Sequence, residues 1–140
     1  EFEQRIKYFG NHFWLMFDND KLIAFVDGFV TDEANLTDEM YENASMHNEN
    51  GAWQMIFGVN TLPEYRRCGY AKELIKKAIL DAREQNRRGL VLTCKESLVP
   101  YYSKFGFVDE GITDKSTHGN VLWHQMRLDF KLRNNGVKQI

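Results

Sequence analysis

A chain of 140 residues with 43% hydrophobic and 27% charged side chains has the size and make-up of one globular domain with a single substantial core. A net charge of −2 gives no electrostatic case for nucleic acid or an acidic membrane, and no apolar run approaches the roughly 20 residues that span a bilayer. The opening Glu1-Phe2-Glu3-Gln4-Arg5 lacks the pattern of a secretion signal, and Cys68 and Cys94 fit a reducing compartment without suggesting metal ligation, so a cytoplasmic protein is expected.

Phe2, Ile6 and Phe9 share one helical face with Gly10 as a stop, which reads as the end of an amphipathic helix. His12 to Phe17 and Leu22 to Val30 flank the polar cluster Asp18-Asn19-Asp20-Lys21 and predict an antiparallel hairpin. From Thr31 to Gly51 the composition turns polar and acidic, with a short helix near Thr37 to Ala44 capped by Thr37. Ala52 to Asn60 predicts one strand. Tyr70 to Asn86 is the clearest helix, with Ala71, Leu74, Ile75, Ala78, Ile79 and Ala82 on one face and Gly89 beyond its end. A buried strand at Leu90 to Cys94, a short helix after Ser97, and strands near Phe107 to Ile112 and Val121 to Leu128 follow. Residues 1–130 are expected to form one domain and 131–140 a polar tail.

The segment Arg66-Arg67-Cys68-Gly69-Tyr70-Ala71 lies between the apolar run Met55-Ile56-Phe57-Gly58-Val59 and the clearest helix. A glycine turn before a helix directs consecutive N–H groups and the positive helix end at an anion, which suits a phosphate. The spacing is neither the Walker pattern nor the dinucleotide fingerprint. It resembles the Q/R-x-x-G-x-G/A signature of the GNAT acetyltransferase superfamily, whose loop holds the pyrophosphate of acetyl-CoA. Pro100 follows Gly69 by 31 residues, within Ser97-Leu98-Val99-Pro100-Tyr101-Tyr102-Ser103-Lys104-Phe105-Gly106-Phe107, which is similar to the second signature of that superfamily. The stretch Leu92 to Tyr102 looks particularly like the arylalkylamine (serotonin) N-acetyltransferase branch.

The resemblance, from about Phe13 to Leu128, implies an α/β fold with a mixed, mostly antiparallel central sheet, splayed parallel strands and flanking helices. Family members start with a strand and a helix before this point, so either those elements are absent from the sequence or the fold opens differently. Acetyl-CoA is the implied co-substrate, with no metal. Backbone amides of Phe57 and Val59, beside Gly58, would hold the thioester carbonyl and pantetheine, and Phe57 is the candidate oxyanion donor. Arg66, Arg67, Cys68, Gly69, Tyr70, Ala71 and Lys72 would hold the pyrophosphate. Tyr102 matches the position that protonates the leaving thiolate; aromatic packing beside Phe105 and Phe107 is the competing account. With a phenol near pKa 10 and a thiol near 8.5, that transfer is uphill by about 1.5 units unless the site changes either value.

The acceptor side departs from the branch. Its two histidines, which serve proton removal, become Trp53 and Met55 here, and neither accepts a proton. An alkylammonium of pKa about 10 is only about one part in a thousand neutral at pH 7, so a base or water path is required. A water chain, Gln54 orienting a water, and Asp27 are candidates; Asp27, inside an apolar strand, is either a buried base or a residue on the solvent face. His12, His47, His118 and His124 read as surface or packing residues without metal-ligand spacing. Trp53 and Met55, with Phe57, form either an apolar wall for the acceptor or core packing. The acids Asp32, Glu33, Asp38 and Glu39 either attract a cationic substrate or are a solvated loop. Acetyl transfer to a primary amine, a small one first, is thus expected. Protein N-terminal or lysine acetylation and a non-catalytic acyl-CoA-binding module are the alternatives, and a homodimer is left open.

Overall fold

The structure, a computed structural model, describes residues 2–113 and 121–131; His118 and most of the polar tail lie outside them. Helix α1 (Phe2–Phe9) leads through a short 3-10 turn into a hairpin of β1 (Phe13–Asp18) and β2 (Lys21–Asp27). Asn19 takes the left-handed conformation in its turn, with φ of 54°. The chain then forms β3 (Val30–Thr31), α2 (Asp38–Glu42), β4 (Trp53–Ile56), β5 (Gly58–Thr61) and α3 (Tyr70–Glu84). It closes with β6 (Gly89–Lys95), α4 (Val99–Ser103), β7 (Val108–Thr113) and β8 (Trp123–Asp129).

The run Ala52 to Asn60 is two strands, because Phe57 leaves one sheet for another. Strands β1, β2 and β5 form one sheet, and β3, β4, β6, β8 and β7 form the second in that order. Among the described residues only β4 and β6 pair in parallel, joined by the crossover through α3. It ends at Ile56 opposite Leu92, while β5 continues antiparallel to β2. A seam therefore opens between β5 and the second half of β6. Gly28 permits the crossing beneath it: a Cβ there would lie 1.7 Å from the carbonyl oxygen of Met55.

Each face of the sheets has a core. Leu74, Ile75, Ala78 and Ala82 of α3 pack on Trp14, Val26, Ile56, Leu90, Leu92 and Met126. On the opposite face Phe9 of α1 and Met40 of α2 cover Phe29, Trp53, Met55 and Val91. The expected cap is not used: Thr37 holds the N-cap position of α2 without a side-chain bond, and Ser97 itself lies inside a 3-10 turn before α4. Pro100 does fall in the first turn of α4, and Gly106 takes a positive φ of 104° just past it.

Candidate active site

The glycine loop is built to present N–H groups. Arg67 and Gly69 both take left-handed φ, 64° and 83°, and Gly69 occupies the N-cap of the 15-residue α3. Such a nest converges amides on one point, and the helix end adds its positive dipole. The loop borders a cleft of about 580 Å³ lined also by Val59, Thr61, Tyr65, Tyr70, Lys72 and Tyr101. The structure thus brings Arg66, Arg67, Gly69, Tyr70, Ala71, Lys72 and Val59 to one cleft, whose lining does not include Cys68. Cys68 is exposed, whereas burial, then the charge of Asp109, pushes the Cys94 thiol up to about 11.

The hydrogen-bond register decides which amides are free. Leu62 N–H donates to the Ile23 carbonyl at 2.9 Å, so alternate residues of β5 bond β2 while Val59 and Thr61 turn their backbone groups to the open edge. Thr61 offers its carbonyl there to the Arg66 guanidinium at 3.3 Å. The expected oxyanion donor is corrected by the same geometry. Phe57 N–H is spent on the Asp27 carbonyl at 2.7 Å, because the step from β4 to β5 swings it toward β2. Among the two amides expected at the thioester, that of Val59 is the one aimed at the seam.

Tyr102 lines the deep end of this seam with Val59, Ile56 and Phe107, where only about 10 Å³ is open. An acyl arm reaching Tyr102 must widen it. Burial, then the nearby Tyr101, Cys94 and Tyr41 groups, raises the Tyr102 phenol above its ordinary range. The phenol holds its proton firmly and is a weaker acid than in water. A thiolate expelled into the same apolar seam loses its solvation too, so its own proton affinity rises alongside.

The acceptor face holds corrections. Met55 is 0% exposed and Trp53 8%, with Trp53 between the guanidinium groups of Arg88 and Arg127 at 5.4 and 4.6 Å. Both are core residues, and neither presents a surface to a ligand. Phe57 is half-buried, and its ring lies 4.7 Å from that of Tyr41. Asp27 is not on a solvent face: it is wholly buried and pairs with Arg5 at 3.2 Å. Burial raises its carboxyl, and the Arg5 charge partly opposes that rise. Tyr41, absent from the sequence reading, bonds Thr93 Oγ1 through its hydroxyl at 3.4 Å.

Behind this face the structure assembles His12, His47 and Glu49, whose ligand atoms all lie within 4.8 Å of one another. The order of donors assigns protons to the cluster. Gln54 donates its amide N–H groups to the carbonyls of Phe29 and Met55, so its oxygen accepts from His12 Nδ1 at 2.8 Å. His12 Nε2 meets both Glu49 oxygens, at 3.0 and 3.2 Å. Both His12 nitrogens therefore face acceptors. His47 Nδ1 accepts from Val30 N–H, which leaves Nε2 as the donor to Glu49 and not a lone pair for a metal. Burial lowers the His47 pKa below 6.5. His47 and Glu49 are two residues apart, but His12 lies 37 residues before Glu49, so sequence spacing carried no signal that joins them.

The sequence profile of the Acetyltransferase (GNAT) family matches residues 1–107. The chain belongs to the GNAT acetyltransferase family. It is 30% identical to the serotonin N-acetyltransferase of Mesocricetus auratus over 93 residues, 65% of this chain and 43% of that protein. The chain thus spans less than half the length of this curated relative. The loading GNATL domain of CurA from Lyngbya majuscula superposes with a TM-score of 0.76 at 15% identity, over 94% of this chain and 83% of that one. A Bacillus anthracis protein assigned as a streptothricin acetyltransferase, solved in complex with acetyl coenzyme A, gives 0.58 at 19% identity, over 83% and 60%. These likenesses show a GNAT fold of mixed α/β sheets flanked by helices. Among the described residues no helix is long and apolar enough to cross a membrane.

Proposed function

We propose that this GNAT domain transfers the acetyl group of acetyl-CoA to a primary amine, a small one in the first instance. The observation that carries the reading is an adjacency: Val59, on the open edge of β5, lines both the cleft of the glycine loop and the narrow space beside Tyr102. The amides of Arg67 to Lys72, with the Arg66, Arg67 and Lys72 charges, bind the pyrophosphate. Val59 and Thr61 pair with the pantetheine amides as an added strand would, with Phe57 and Gly58 forming the turn beside the acyl group.

In the reaction the amine nitrogen attacks the thioester carbon, and the oxygen takes the negative charge beside the Val59 N–H. The C–S bond breaks and the thiolate takes the Tyr102 proton. The ammonium proton passes first to Asp27, the base favoured by its burial and by the loss of the histidine pair. The second proton on nitrogen restores the Tyr102 phenol as the amide forms.

The test is release of coenzyme A thiol from acetyl-CoA with arylalkylamines, polyamines and amino-terminal peptides across pH 6 to 9. Release that depends on a small amine is expected. Response to peptides alone would place the protein among protein acetyltransferases, and tight acetyl-CoA binding without release would make it a binding module.

A further inference from the structure

Asp27 is a carboxylate without solvent contact, and a buried charge requires a counter-charge. Helix α1 supplies it. Arg5 Nη1 lies 3.2 Å from Asp27 Oδ2, and Nη2 donates to the Tyr41 main-chain carbonyl at 3.3 Å. The guanidinium carbon sits 5.5 Å from the centre of the Phe57 ring. A carboxylate, a carbonyl and an aromatic face thus surround one cation, and each would serve a primary ammonium as well as a guanidinium.

These two bonds of Arg5 are long. Charge-assisted N–H···O bonds are commonly about 2.7–2.9 Å long, shorter than both of these. Asp27 Oδ1 is buried beside Gly58, whose N–H helps to hold the carboxyl down, and no side chain among the described residues bonds it, so the carboxylate can still accept a donor. The Arg5 side chain keeps 18% of its exposure, and Phe57 and Tyr41 are half-buried, so the cage is not sealed. Phe57 stands two residues before Val59, and the Tyr41 hydroxyl reaches Thr93 of β6, the strand that flanks the seam, so the cage borders the seam on the face opposite α3.

We propose that Asp27, Phe57 and the Tyr41 carbonyl form the subsite for the acceptor's ammonium, and that Arg5 is a resident stand-in which the acceptor displaces. The inference rests on the amine-acetylation reading and names its acceptor class: a primary alkyl- or arylalkylammonium whose apolar part lies along the Phe57 and Tyr41 rings. Displacing Arg5 also removes the charge that holds Asp27 ionised. The ammonium then gives its N–H proton to the carboxylate, and a buried ion pair becomes a neutral amine and a neutral acid, which the apolar surroundings favour.

Binding of phenethylammonium without acetyl-CoA, by calorimetry, tests this. Arg5→Met keeps the apolar stem and empties the cage, and is expected to bind phenethylammonium at least about tenfold tighter than the wild type. 2-Phenylethanol should bind both proteins equally weakly, and adding Asp27→Asn should abolish the gain. Equal or weaker ammonium binding by Arg5→Met, or equal binding of the alcohol and the ammonium, would overturn the proposal. If Arg5→Met does not fold, Asp27→Asn alone should weaken ammonium binding at least about tenfold, and unchanged affinity would overturn it. Because no acetyl-CoA is present, the expected binding without later thiol release keeps the subsite and removes acetyl transfer. Amine-dependent release without the Arg5 effect does the reverse.

Discussion

The proposed coenzyme cleft and the proposed acceptor face meet at the step from Phe57 to Val59, yet they are made of different material. Most of the cleft comes from one stretch of main chain, residues 59–72, which gives a left-handed loop, a helix start and an unpaired strand edge, with Leu98 and Tyr101 completing the wall. The acceptor face is made of side chains from α1, β2, α2, β4 and β6, held in buried polar and aromatic pairs. Main-chain recognition survives most side-chain changes, so the coenzyme end tolerates sequence drift. Side-chain recognition is rewritten by single substitutions, which is how one family serves many acceptors.

The contrast breaks most sharply at Val59. Val59→Pro deletes an N–H on the open edge of β5, where proline fits, and should lower kcat by on the order of 10²–10³ with the circular dichroism spectrum unchanged. An unchanged rate would take the oxyanion away from Val59. Tyr102→Phe should lower kcat by about 10² and leave the KM for acetyl-CoA alone. A change confined to KM would return Tyr102 to packing. Arg66→Gln, at the exposed mouth, should raise the KM for acetyl-CoA by about tenfold, and the effect should shrink as salt is added. A loss that salt does not touch would mean the loop had lost its shape instead.

The smallest effect concerns the acceptor face and pH. His47 has its pKa lowered by burial, so the unfolded chain binds its proton before the folded one does. Glu49 is pushed up by burial, but the hydrogen bonds and charges of His12 and His47 outweigh this and lower it. Both depressed values give stability that is present at neutral pH and lost on acidification, for His47 from its ordinary 6.5 downward and for Glu49 from 4.5 downward. The melting temperature should fall as pH drops below 6.5, and His47→Gln should flatten the first part of that fall. A melting temperature that rises on acidification would reverse the assignment.

What could be read from sequence follows the same division. The loop at Arg66 to Ala71, the helix behind it and Tyr102 were legible because each is a contiguous pattern whose geometry is local. The break at Phe57 was not, since Met55 to Val59 is an apolar run and Gly58, which can mark a bulge, does not say that the chain changes sheets there. That division in turn moved the free amide from Phe57 to Val59 and buried Trp53 and Met55 beneath α1 and α2. Asp27 was legible as an anomaly in an apolar strand, but not its partner, because Arg5 lies 22 residues away. Tyr41, in the acidic segment, looks in sequence like any helical tyrosine.

The most direct measurement is an amide NMR titration of the protein with acetyl-CoA. The account predicts that the N–H resonances of Val59, Thr61 and Arg67 to Lys72 move together, while Asn60 and Leu62, bonded into β2, stay nearly fixed. Binding that leaves the glycine loop and Val59 unmoved would contradict it.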